Sequence, residues 1–131
     1  MLNATSDEEI DQAFATLLQR RVGVLVIGSD PFFGARLDRL AELTKRHQIP
    51  ATYFRRQFPA GGGLMGYGSN PLDAYRQAGV YIGRILKGDK PGDLPVTQST
   101  KFEFVLNLKT ATALGLTIPP GVLAIADEVI E

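Results

Sequence analysis

The stretch Val22-Gly23-Val24-Leu25-Val26-Ile27-Gly28-Ser29-Asp30-Pro31-Phe32-Phe33, VGVLVIGSDPFF, decides the fold class. Its first seven residues form a continuous apolar, β-branched run, the pattern of a strand buried on both faces as in a parallel sheet. Gly28-Ser29-Asp30-Pro31 is a turn cluster that ends it. On either side lie helical periods. Ser6-Asp7-Glu8-Glu9 has the form of a capping box, with Ser6 bonding an orphan amide and Glu9 reaching back to the Ser6 amide. Ile10, Ala13, Phe14, Leu17 and Leu18 then recur at helical spacing, predicting a helix over Asp7 to Arg20. Leu37, Leu40, Ala41 and Thr44 predict a second, over Gly34 to Arg46.

The pattern continues along the chain. ATYF (51–54) reads as a second strand and LMGYG (64–68) as a short third. Pro71 stands where a first-turn proline is tolerated, capped by Ser69 or Asn70, and opens a long helix to Lys87. Gly88 to Pro95 is a loop. KFEFVLN (101–107) alternates as a strand solvated on one side, LKTATALGL (108–116) is a short helix, and Pro119-Pro120 introduces a last helical segment over Gly121 to Ile130. Helices alternating with short apolar strands argue for one α/β domain with a mostly parallel sheet flanked by helices. Ligands of such sheets bind beyond the carboxyl ends of the strands. Ser29–Phe33, Arg55–Phe58 and Tyr67–Asn70 are therefore the candidate site segments.

Composition narrows the function. With 131 residues the chain has room for one core, and its basic and acidic residues balance at 14 each. A neutral chain offers no basic field for nucleic acid. Cysteine is absent, which removes disulfides and thiolate-held metals. The run Val22–Ile27 is far too short to cross a bilayer. As written, the amino terminus lacks a basic end and an apolar h-region, so no signal peptide is read there and the chain as it stands is expected in the cytoplasm.

Gly61-Gly62-Gly63-Leu64-Met65-Gly66 fits G-x-G-x-x-G, but a dinucleotide site needs a helix opening within the motif and an acid at the end of a second strand. Here Gly-Ser-Asn-Pro follows instead, and Asp73 and Asp89 are misplaced. The glycines read better as a bend whose backbone can come close to its neighbours. No P-loop is present. His47, the lone histidine, ends a helix beside Lys45 and Arg46, where a cation suits the dipole. Asp7-Glu8-Glu9 is explained by capping. No catalytic set, metal site or cofactor is expected.

GSDPFFGAR holds the most informative residues. Phe32 and Phe33 follow a turn where polar residues are the norm. Either both pack into the core, or one ring and the Asp30 carboxylate face a cleft as an apolar wall beside a charge. Arg55 and Arg56, after the second strand, are either solvated or clamp a ligand carboxylate. A rival reading makes Asp30 the strand-end acid of an α/β enzyme or receiver-like domain, although no second acid clusters beside it. An inactive gene remnant is the third.

Taken in order, GSDPFF, RLDRLAELTKRHQIPATYFRRQF, GGLMGYG, DAYRQAGVYIGRILKGDKPGDLPV, KFEFVLNLKTATALGLTIPP and ADEVIE carry a resemblance over nearly the whole chain. It resembles the carboxyl-terminal portion of the substrate-binding proteins of bacterial ABC importers, a type I periplasmic-binding-protein fold, in the group linked to tryptophan and tyrosine uptake. The resemblance implies one lobe of a two-lobed, non-enzymatic protein that closes on a small amino-acid-like or aromatic solute outside the inner membrane and delivers it to permease subunits. It implies that residues 69–93 are a hinge and a helix belonging to the other lobe. It implies ligand contacts from Ser29, Asp30, Phe32, Phe33, Arg56, Tyr67, Ser69 and Asn70. Gln57 stands where relatives tend to carry an acid, and Gly66 where they carry serine. Without a first lobe, the Leu72–Lys87 helix is expected to dock on its own lobe or on a second copy, forming a homodimer.

Overall fold

The computed structural model describes residues 1–98 and 101–131. Helix α1 spans Asp7–Gln19 and buries Ile10, Phe14 and Leu17. Ser6 caps it, the Glu9 amide donating to Ser6 Oγ at 3.2 Å. The Glu9 carboxylate reaches mainly one residue further back than a capping box requires, accepting from the Thr5 amide at 2.6 Å and the Thr5 hydroxyl at 2.8 Å. Those bonds, the Thr5 amide foremost, hold its carboxyl below the usual range. Arg21, in the left-handed region at φ 49°, turns the chain out of the helix.

Strand β1 is confined to Leu25–Val26. The apolar run predicts burial on both faces, but Val26 is 72% exposed and Val24 is exposed as well. The reason is position: β1 ends the sheet, and the helices beside it cover one face only. The helix expected over Gly34 to Arg46 is α3 (Leu37–Arg46), which starts late because Arg36 is out of helical geometry at φ −125°, ψ 22°, and a separate short helix, α2 (Pro31–Gly34), precedes it. α3 buries Leu40, Ala41, Leu43 and Thr44. With α1, Ile27, Ile49, Ala51, Tyr53 and Phe58 it forms the larger core.

Strand β2 (Ala51–Tyr53), helix α4 (Gln57–Ala60) and strand β3 (Met65–Ser69) follow. Strands β1, β2 and β3 run parallel. Helix α5 (Pro71–Leu86) then leaves the body, and β4 (Phe102–Asn107) returns antiparallel to β3. Helices α6 (Leu108–Ala113) and α7 (Pro120–Ala124) pack a second core of Leu64, Leu106 and Ala111 with Leu114, Ile118 and Leu123 around it. The segment read as a helix to Ile130 instead turns after α7 and ends in a fifth strand, β5 (Glu128–Ile130), parallel to β4. Asp127 makes that turn. Its amide donates to the Phe104 carbonyl at 2.9 Å and its carboxylate accepts from the Phe104 amide at 2.7 Å. The result is a mostly parallel five-stranded sheet in the order β1-β2-β3-β4-β5.

Helix α5 stands apart. None of its residues is buried, and Leu72, Tyr75, Val80, Ile82 and Leu86 present apolar surface to solvent. It is tied at its root by Asn70, whose side chain caps it and bonds Glu103, and by the Lys101–Asp73 ion pair at 3.2 Å. Its far end closes on its own return segment, Tyr81 Oη donating to the Pro95 carbonyl at 2.5 Å.

Asn107 joins the two halves of the body. Buried at the end of β4, it caps α6 by accepting from the Thr110 amide at 2.9 Å and donates to the Pro59 carbonyl at 2.9 Å. Thr110 adds a bond from its hydroxyl to the Gly62 carbonyl, also 2.9 Å. Asn107→Ala would leave a helix amide and a buried carbonyl without partners. We expect it to cost about 2–3 kcal/mol in urea unfolding, whereas Thr112→Ala, on the exposed side of the same helix, should change stability by less than about 0.5 kcal/mol.

Candidate functional site

The loops after β1 and β2 lie side by side at the carboxyl ends of the parallel strands. The first is set by Asp30. In extended geometry before Pro31, it caps α2, Oδ1 accepting from the Phe32 amide at 2.7 Å. Proline at the first helical position needs no amide partner, so the turn is stable at four residues. The second loop, Phe54 to Arg56, runs from β2 into α4.

What fixes the second loop is the composition of β3. A Cβ placed on Gly68 would stand 2.0 Å from the Phe54 carbonyl oxygen, and one on Gly66 would stand 2.8 Å from that of Arg55. The site loop therefore rests on a strand stripped of side chains on that face. Glycine is used here for close approach of two backbones. It explains why β3 reads Met-Gly-Tyr-Gly-Ser.

Between the loops is an open cavity of about 420 Å³, lined by Ser29, Asp30, Pro31, Gly34, Leu37, Tyr53, Phe54, Arg55 and Gln57. The Arg55 guanidinium lies 5.0 Å from the Phe54 ring centroid and makes no ion pair with the described residues. Burial, opposed by Arg55 and reinforced by Asp30, raises the Tyr53 hydroxyl above its ordinary pKa, so it stays protonated. The cavity thus offers one carboxylate, one guanidinium, an amide and two hydroxyls against Leu37, Pro31 and Phe54. A smaller cavity of about 230 Å³ adjoins it across Phe54, Arg55 and Gln57, with Arg56, Ser69, Asn70, Leu72 and Glu103 on its far side.

The residues named from sequence fall into three groups. Ser29 and Asp30 line the larger cavity. Arg56, Ser69 and Asn70 line the smaller, where Arg56 is held by Glu128 at 2.6 Å and Asn70 is engaged as the α5 cap. Phe32, Phe33 and Tyr67 line neither. Phe32 and Phe33 meet edge-on at 5.5 Å and pack against the larger core, with the Arg36 guanidinium 3.9 Å over the Phe32 ring. Tyr67 is exposed and stacks on Phe102 at 5.8 Å. Gln57 and Arg55, from the expected Arg55–Phe58 segment, line the larger cavity as well, whereas Leu37 and the Tyr53 hydroxyl are not singled out by the sequence. Tyr53 carries a signal in hindsight: a tyrosine closing a buried strand, two residues before an arginine, brings a polar tip to the strand end.

As for the rival reading, the described residues contain no group of three or more histidine, aspartate or glutamate side chains that could hold a metal. Asp30 spends one oxygen on α2. Among the described residues, no helix is long and apolar enough to cross a membrane.

Comparison with known proteins places the fold. A family model described as ABC transporter substrate binding protein matches residues 2–130. The fold is similar to a conserved domain protein of Vibrio cholerae (TM-score 0.84, 22% identity, covering 96% of this chain and 42% of that one). It is similar to a Streptococcus pneumoniae ABC domain solved in complex with L-Trp (TM-score 0.83, 28% identity, 97% and 43%). A ligand-free, open Clostridium difficile substrate-binding protein with adhesive properties also matches (TM-score 0.69, 21% identity, 97% and 42%). The chain thus spans less than half the length of these structures. No curated protein sequence matches it.

The glycine contact yields a direct test. Gly68→Ala must push Phe54 and Arg55 off β3, and we expect a loss of about 1–3 kcal/mol together with shifted amide resonances across residues 53–57. A variant that melts like the parent with an unchanged spectrum there would show that the loop does not depend on this contact.

Proposed function

The chain belongs to the ABC transporter substrate-binding protein family, and from that premise we propose that it forms one lobe of the solute-binding component of an importer. The observation that carries the reading is the cavity of about 420 Å³ between the two loops. It lies where ligands of parallel sheets bind, and it sets the Asp30 carboxylate and the Arg55 guanidinium, which makes no ion pair among the described residues, against apolar walls. Two opposite charges beside a ring surface suit a small amino-acid-like or aromatic solute. The Streptococcus pneumoniae neighbour, solved with L-Trp, supports that class.

In this reading Ser29, Asp30 and the adjoining Arg56, Ser69 and Asn70 contribute from one side, with Phe32 and Phe33 bracing the first loop and Tyr67 beside the hinge. The rest of the site comes from a second lobe. Residues 69–93 are the hinge and a helix of that other lobe, and the exposed apolar residues of α5 are its packing surface. Closure over the solute favours the closed form by contacts that the open form lacks. The working protein acts in the periplasm and hands its solute to the permease subunits.

One lobe makes only part of the contacts, so binding to residues 1–131 alone should be weak. In an NMR titration with L-tryptophan we expect roughly millimolar affinity, with shifts confined to the two loops. Saturable binding that shifts residues elsewhere, or none at all, would refute the cavity assignment.

A lone lobe also leaves α5 uncovered, and a second copy is the surface available to cover it. We expect sedimentation at roughly 100 μM to show a dimer that Ile82→Asp dissociates, because a carboxylate in an apolar contact is strongly disfavoured. A monomer at every concentration would remove this arrangement.

A further inference from the structure

Tyr53 is only 2% exposed, with its ring set between Phe54 at 4.6 Å and Phe58 at 6.2 Å. It nevertheless lines the larger cavity. Its hydroxyl lies beside Gly34, another lining residue, 3.4 Å from the place a Cβ would take there. Among the described residues that hydroxyl has no hydrogen-bond partner. A solute that fills the cavity would cut it off from water, and an unpaired hydroxyl in such a place is costly.

We infer that Tyr53 is a specificity-determining residue of this cavity, its hydroxyl bonding an uncharged polar group on the edge of the solute's inserted ring. The inference rests on the reading of the cavity as a solute site and adds to it the chemistry at its base. Two features select a neutral group. The hydroxyl stays protonated under burial, so it can both donate and accept. Phe54, Leu37 and Pro31 supply apolar walls that suit a flat ring and would leave an ion poorly solvated. The ionic ends of the solute belong at Asp30 and Arg55; the polar edge of its ring belongs at Tyr53.

The ring of Tyr53 does the packing, so Tyr53→Phe keeps the core and removes only the oxygen. The test is an NMR titration of the parent and Tyr53→Phe with L-tryptophan and with 1-methyl-L-tryptophan, which lacks the indole N–H. In the parent we expect L-tryptophan to bind about 3- to 10-fold more tightly than its methylated analogue, the range of one neutral hydrogen bond. In Tyr53→Phe the ratio should fall to about one. A purely structural role would weaken both ligands together and leave the ratio where it was. The same ratio in both proteins overturns this inference while leaving the cavity reading intact. No binding of either ligand to the parent overturns both.

Discussion

The contact on which the site depends is between two backbones. Phe54 and Arg55 turn out of β2 with their carbonyl oxygens lying against β3, where Gly66 and Gly68 leave room that any other residue would fill. Glycine loses more conformational freedom on folding than any other residue and packs nothing itself, so two of them within a five-residue strand weaken that strand taken alone. The antiparallel partner compensates. β4 runs alongside β3 for its whole length, from Met65 opposite Leu106 to Ser69 opposite Phe102. The sheet thus tolerates a bare strand at its centre, and that strand lets the site loop lie close enough to hold Arg55 beside Tyr53.

Charge plays a smaller part in holding the body together. Asp7 bonds Arg36 at 2.5 Å, and Asp11 bonds Arg39 at 2.9 Å, tying α1 to the start of α3 at the surface. The Arg36 hydrogen bond lowers the Asp7 carboxyl below its ordinary pKa. The stabilising effect is therefore present above the unfolded pKa and lost as pH falls through the lowered folded one. Such exposed pairs contribute little beside an apolar core. The larger core, centred on Phe14, Leu40, Tyr53 and Phe58, carries the body, and the pairs fix how α1 is oriented on it.

Much of this was legible in the sequence. Alternating helical and strand periods gave the α/β class and the mostly parallel sheet, because those periods record which residues face the core. Three things were not legible. The apolar run Val22–Ile27 looks the same whether one face or both are covered, since coverage depends on helices that the run does not encode. The end of the chain carried a helical proline signal that overrode Glu128-Val129-Ile130, whose role as a strand is imposed by Asp127 pairing with Phe104. The polar groups of the larger cavity come from loops about 25 residues apart. Asp30 and Arg55 could be proposed from local context, but the Tyr53 hydroxyl came into view only when β2 was set beside α2.

Helix α5 has a mechanical consequence. Sixteen residues at 1.5 Å each make a rod about 24 Å long, anchored where Asn70, Asp73, Lys101 and Glu103 meet. Rotating such a rod by about 10° at its base carries its tip through roughly 4 Å. The base adjoins the smaller cavity, which shares Phe54, Arg55 and Gln57 with the larger one. Any rotation of the helix about that base would therefore move its far end several times farther than the residues beside the cavity.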